Sequence, residues 1–311
     1  MSKVVKQHYV PQSYLRKFTQ DGEQVFVFDK FTKTSFRTNI GNIAGERCFY
    51  DIPPDSVAED VDPQIVEKTF SELETYFSNA VDDLLRTVGA GKKIDSDQKQ
   101  DISLLIMIQY FRTLEFRALY TALVEQGAKA LLDMMVKIEM PDVSPDKYYV
   151  RLDEKKLPLE QAMFMFDPTT LNAFVRALTN HIWLVGVNET RQPLYTSDSP
   201  VVKKAHTQHP PGFASEGIEI AFPITPKHVL ILCDRTFFRP YERIDGKSVS
   251  LSASNVNYYN VLQVFQSYRQ IYCPSDKFSL ARKICKKHPE VCTPDRTRFQ
   301  IHMGEGFDRT Q

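Results

Sequence analysis

The chain carries no excess of charge, since 39 lysines and arginines face 39 aspartates and glutamates. That balance argues against a general nucleic-acid coat or a polybasic membrane surface, although it is compatible with a local basic groove. No apolar run is long enough to span a bilayer. The richest stretch, Ile102 to Phe111, is interrupted by Ser103 and Gln109. The opening Met1-Ser2-Lys3-Val4-Val5-Lys6 lacks the apolar core of a signal peptide. Cysteine is sparse and odd in number: Cys48, Cys233, Cys273, Cys285 and Cys292. A chain of this length needs no disulfide staples, so these read as reduced thiols. Together these absences predict a cytoplasmic protein with no membrane partner. The sequence also has no internal repeat, no low-complexity tract, and no metal, nucleotide or nucleophile motif of high specificity.

What is there is an ordinary globular composition, 42% hydrophobic and 25% charged. A chain this long buries a real core by itself. Gln24 to Asp29 has strand composition, and a turn at Lys30 to Lys33 leads into Thr34-Ser35-Phe36-Arg37, which predicts a hairpin. Before it, Pro11 opens a short helix with Tyr14, Leu15 and Phe18 on one side. After it, Arg47-Cys48-Phe49-Tyr50 reads as another short extended piece.

A helical middle follows. Asp62-Pro63 is a helix start, and Val66, Phe70, Leu73, Phe77, Val81 and Leu84 recur at helical spacing. Asp95 with Gln98 predicts a capping box. The next helix is apolar nearly all round, and its pattern runs to about Met140 with a break near Gly127. Asp142 to Pro158 reads as a long loop, and Asp167-Pro168 starts another helix. From Ile182 the pattern turns to strands, with short pieces at 194–196, 201–202, 217–222 and 228–233 that suggest an antiparallel meander. Ser252 caps a helix reaching about Gln266, a strand at Arg269 to Tyr272 and a short helix at Lys277 to Lys287 follow, and the tail from Thr293 is polar. The fold class expected is α+β, an antiparallel sheet of N-terminal and C-terminal strands packed on the helical middle. The expected organisation is one domain over 1–311, with 62–140 as a helical subdomain within it.

Several polar residues stand where polar residues need a reason. His8 supplies an imidazole, and Tyr9 and Gln12 add hydrogen-bonding groups beside it. They serve either a site or a buried turn. Gln109 and Arg112 share a face of a helix that looks buried, and a guanidinium there requires either a carboxylate neighbour or an anionic ligand. Glu67 and Glu74, about 10 Å apart along a helix, suit a metal or acid–base work, or else pair with arginines such as Arg112 and Arg117. Thr196-Ser197-Asp198-Ser199-Pro200 has turn composition at a sheet edge, where site residues are common. It lacks the Gly-x-Ser-x-Gly elbow of a serine hydrolase. Cys285, His288 and Cys292, with Cys273 upstream, match no standard zinc spacing well.

Gln7-His8-Tyr9-Val10-Pro11-Gln12, with Tyr14-Leu15 and Phe18, resembles the signature of the His-Tyr-Val-Pro family, a functionally uncharacterised group of bacterial, archaeal and phage proteins. The similarity extends to Val25 to Lys30, Cys48-Phe49-Tyr50, Glu67 and Glu74, Phe222 to Pro226 and Asn257 to Asn260. It also extends to the Thr196 to Val201 turn, where Ser199 replaces the family's asparagine. The resemblance spans roughly residues 7 to 275 and implies site positions rather than a reaction.

The leading functional expectation is a hydrolase of phosphoester type acting on a nucleotide or nucleic acid. His8 is its acid–base group, Arg112 clamps the anion with Gln109, and Gln12 and Ser197 bind ligand. Asp198 orients His8 or, with Glu67, holds a divalent cation. The alternative is a non-catalytic binding module for a small anionic ligand or a partner protein, in phage–host conflict for example. A third reading makes His8, Arg112 and Asp198 one structural network.

Overall fold

The computed structural model describes residues 4–56, 58–208 and 211–298, so the last part of the polar tail lies outside the described residues. The N-terminal segment runs β1 (Lys6–His8), α1 (Gln12–Arg16), β2 (Gln24–Asp29), β3 (Thr34–Asn39) and β4 (Gly45–Arg47). β2 and β3 form the expected hairpin, Val27 opposite Phe36. Its turn is set by Asp29, whose Oδ1 accepts from the N–H groups of Phe31 and Thr32. β4 pairs antiparallel with β1 and ends at Arg47. Of the extended piece expected over Arg47 to Tyr50, Arg47 is in a strand and Cys48 to Tyr50 form a turn. Cys48 takes φ of 53°, which swings Phe49 and Tyr50 inward, where both are buried.

The helical middle consists of α2 (Ile65–Gly89), α3 (Ser96–Phe111), α4 (Leu114–Glu139), α5 (Leu157–Phe166) and α6 (Pro168–Thr179). α2 buries the stripe Val66, Phe70, Phe77, Val81, Leu84 and Val88. The Asp95–Gln98 capping box opens α3. The helical run predicted to break near Gly127 breaks at Arg112–Thr113. Thr113 leaves helical geometry with ψ of 156°, and its hydroxyl accepts from the N–H of Phe116. Gly127 lies inside α4. α5 begins at the end of the expected loop and places Pro158 in its first turn, where proline is tolerated.

The second half holds β5 (Ile182–Asn188), β6 (Thr196–Ser197), β7 (Val202–Ala205), β8 (Ile218–Thr225), β9 (His228–Cys233), β10 (Lys247–Leu251), α7 (Ala253–Gln266), β11 (Gln270–Cys273) and α8 (Ser279–Lys287). Among the described residues one sheet has the order β3-β2-β11-β6 and another the order β10-β5-β9-β8-β7. The first joins N-terminal and C-terminal strands antiparallel, as an α+β chain of the expected kind requires. The second departs from a pure meander. β6 leaves it for the terminal sheet, and β10, which the strand pattern does not signal, joins it parallel to β5.

The largest apolar cluster takes Leu15, Val25, Phe70, Ile106, Trp183 and Phe222 into one contiguous core. Helices of the 62–140 segment therefore share their buried face with α1, the hairpin and the second sheet. Replacing Thr113 with Ala removes the cap that starts α4 and is expected to lower stability by about 1 kcal/mol. Urea unfolding of wild type and Thr113→Ala checks this, and an unchanged midpoint would show that the cap is dispensable.

Candidate functional site

The His-Tyr-Val-Pro segment is pinned to the α3–α4 junction through its backbone. Arg112 donates from a terminal nitrogen to the carbonyl oxygen of His8 at 2.5 Å. Gln109, one turn earlier, donates to the carbonyl of Tyr9 at 3.1 Å. The Tyr50 hydroxyl donates to the Arg112 carbonyl at 2.5 Å, which satisfies an acceptor exposed by the end of α3. Gln7 is fully buried and does the same work from β1. Its amide oxygen accepts from the Tyr50 N–H at 2.6 Å, and its amide nitrogen donates to Asp51 at 2.5 Å. Tyr14 stacks on Phe222 and donates to the Pro223 carbonyl at 2.6 Å, which ties α1 to β8.

The His8 ring is less committed. Its Nε2 lies 3.3 Å from the Gly41 carbonyl and 3.5 Å from Gln12 Nε2. Partial burial holds its pKa below the ordinary imidazole value; the Gly41 carbonyl opposes this, and the charges of Lys6 and Arg112 add to it. A neutral imidazole with long contacts is a competent proton acceptor.

Arg112 is 3% exposed, its guanidinium lies 4.0 Å from the centre of the Phe70 ring, and a terminal nitrogen is 3.6 Å from Glu74. Its buried Nε has no hydrogen-bond partner. Glu67 also has a buried oxygen, Oε2, without a partner. Burial raises the Glu67 carboxyl to about 7. Arg112 pulls it back, while Glu74 and Asp51 push it further up. Glu67, Glu74, Arg112 and the His8 backbone thus form one cluster. Arg117 stands apart from these glutamates. It donates to Gln161 at 2.6 Å and to the Phe49 carbonyl at 2.8 Å, stacking 3.5 Å over the Phe49 ring. Burial lowers its pKa to about 10.

Asp198 belongs elsewhere, which corrects the expectation that it orients His8. It is fully buried, and its two oxygens accept from the backbone N–H groups of Tyr268, Arg269 and Gln270, each at 2.7 Å. Burial raises it to about 6 against the pull of those donors and of Lys30. The expected pairing of Asp198 with Glu67 around a cation is not formed either. Among the described residues no three histidine, cysteine or acidic side chains are placed to share a metal ion. Ser197 donates to Gln263 at 2.7 Å and accepts from the Ser199 N–H, a structural arrangement. Cys273, Cys285 and Cys292 are packed in an apolar cluster, and His288 contacts Glu290 rather than the thiols.

Two spaces border these groups. A cavity of about 40 Å³ touches Gln109, Arg112, Glu74 and Tyr14, which is room for a water and too little for a nucleotide. A cleft of about 450 Å³ is bordered by Tyr9, Glu46, Asp198, Tyr268, Arg269 and Gln270. Sequence reasoning missed Gln7, Gln161 and Lys30 as buried polar anchors. Lys30, fully buried, donates to the carbonyls of Val264 and Ser267. Its only sequence signal is its place at the end of a strand of buried residues.

A family model described as "Protein of unknown function (DUF4238)" matches residues 6–277. The chain belongs to this family. The span matched to DUF4238 takes in every candidate residue from His8 to Asp198 and ends before α8. No curated protein and no solved structure matches the chain.

Asp198→Asn turns one acceptor oxygen into a donor facing backbone N–H groups. A loss of about 2–4 kcal/mol is expected in urea unfolding, and a near-neutral result would mean that the 268–270 turn does not need the carboxylate. Glu67 has a titration signature. A carboxyl raised on folding contributes stability below its ordinary value of 4.5 that is lost as pH rises through about 7. Glu67→Gln should therefore flatten the fall in stability across that window, as read from urea midpoints at its two ends. Parallel pH profiles for the two proteins would sink this assignment.

Proposed function

We propose that the chain is a hydrolase of phosphoester type, with Glu67 and His8 as its acid–base groups. The observation that carries this reading is Glu67: a half-buried carboxyl raised to about 7, with an unpartnered buried oxygen, within electrostatic reach of Arg112. A group poised between its two protonation states near neutral pH is what general acid–base catalysis requires. His8, held neutral by burial and anchored through its carbonyl to the same Arg112, supplies the complementary base.

The charge balance narrows the substrate. Arg112 faces Glu74, and Glu67 is uncharged when it carries its proton. A singly charged phosphodiester suits that balance better than a doubly charged monoester. Because the cavity beside Arg112 holds only about 40 Å³, the corresponding substrate class is a phosphodiester presented from outside it, as in a nucleic-acid strand, and Arg112 positions the His8 segment more than it clamps the anion. The His-Tyr-Val-Pro signature lies inside the span matched to DUF4238, and we infer that it marks the same family. The alternative, a non-catalytic module for an anionic ligand, draws on the cleft bordered by Arg269, a half-exposed cation whose Nε pairs with Asp29 at 2.7 Å.

Bis(p-nitrophenyl) phosphate, with and without Mg²⁺, is the direct probe. Turnover is expected with wild type, and Glu67→Gln and His8→Ala should each reduce kcat by about 10²–10⁴. The monoester p-nitrophenyl phosphate should react more slowly. Absence of turnover with either compound would end the hydrolase reading, and thermal stabilisation by the same compounds without turnover would select the binding module.

A further inference from the structure

A second cluster lies on the far strands of the molecule and owes nothing to the His8 segment. Glu219, on β8, is 7% exposed and accepts hydrogen bonds from two consecutive tyrosines of α7. The Tyr259 hydroxyl donates to its Oε1 at 2.9 Å, and the Tyr258 hydroxyl to its Oε2 at 3.0 Å. His206 Nε2 lies 2.7 Å from the same Oε2. This carboxylate borders a cleft of about 470 Å³ whose walls include the rings of Phe238, Tyr241, Tyr258 and Tyr259.

Among the described residues no lysine or arginine lines that cleft. The charged groups at the cleft are Glu219 and its imidazole partner His206, with Lys204 opposite Glu219 in the β7–β8 ladder but outside the lining. Among the described residues no permanently charged cation lines the cleft beside this buried carboxylate, and an acceptor for two phenols needs no charge. Aromatic rings carry negative faces, which attract a cation and gain little from an anion. Each carboxylate oxygen has about two acceptor positions. Among the described residues Oε2 uses both, on Tyr258 and His206, while Oε1 uses one, on Tyr259.

We propose that this cleft binds a small organic ammonium ion, with Glu219 as counter-charge and Tyr241, Tyr258, Tyr259 and Phe238 as an aromatic enclosure. The open position on Oε1 accepts an N–H from a primary ammonium, and the rings accommodate alkylated nitrogen. The site is independent of the hydrolase reading, because it shares no residue with the Glu67 cluster.

Isothermal titration at about pH 8 tests this with butylammonium, choline and neohexanol, the uncharged carbon isostere of choline. Saturable binding of at least one ammonium is expected, at least about tenfold tighter than neohexanol. Glu219→Gln should weaken it about tenfold or more. Because Glu219 is buried, Ser254→Lys serves as a second variant. Ser254 borders the cleft at an exposed position in the first turn of α7, where lysine adds an opposing charge at a small cost to the helix end. It should weaken ammonium binding several-fold while lowering the thermal midpoint only slightly. No saturable heat from either ammonium up to about 10 mM, equal affinity for neohexanol, or an affinity indifferent to Ser254→Lys would each overturn the proposal.

Discussion

The guanidinium of Arg112 is the constraint on which the N-terminal half depends. It stands at the end of α3, where helical hydrogen bonding fails, and it is almost wholly buried. Its charge is met by Glu74, its face by Phe70, its own carbonyl by Tyr50 and one of its N–H groups by the His8 carbonyl. A buried cation held on so many sides fixes the elements that hold it. α2 is located through Glu74 and Phe70, β1 through His8, and the turn after β4 through Tyr50. The Thr113 cap then redirects the chain into α4.

The same economy recurs in the second half with uncharged groups. On α7, Asn260, Gln263 and Gln266 follow one another at three-residue spacing and face the chain from Pro193 to Lys203. Asn260 accepts from the Tyr195 N–H and donates to the Pro193 carbonyl. Gln263 donates to the Pro200 carbonyl, and Gln266 bonds both the N–H and the carbonyl of Lys203. Amide side chains carry one donor group and one acceptor, as a peptide unit does. A helix bearing a row of them pairs with irregular backbone much as a neighbouring strand would. This is how the Thr196 to Pro200 turn is buried without leaving its polar groups unpaired.

Three buried or half-buried carboxyls show how environment divides roles among like groups. Asp198 is saturated by backbone donors and holds a turn. Glu67 keeps an oxygen without a partner and titrates near neutrality. Glu219 is met by phenols and an imidazole beside an open cleft. Burial raises the first two, but the donors around all three differ, and the donors decide whether a carboxyl is structural, protonatable or a receptor for positive charge.

Periodicity and caps by themselves determined much of the architecture. The hairpin, the α2 stripe, the Asp95 and Ser252 caps and the strand at Ile182 are local patterns, set by side chains within a few residues of one another. Local pattern also marked His8, Glu67, Glu74, Gln109 and Arg112 as residues needing partners. What it did not carry was pairing over long separations. The break at Thr113 depends on Tyr50 reaching the Arg112 carbonyl, the parallel seat of β10 on its contact with β5, and the burial of Gln7 and Lys30 on backbone from distant segments. The supposed link between Asp198 and His8 failed for the same reason, because a carboxylate takes the nearest unpaired N–H groups, and only the folded chain decides which those are.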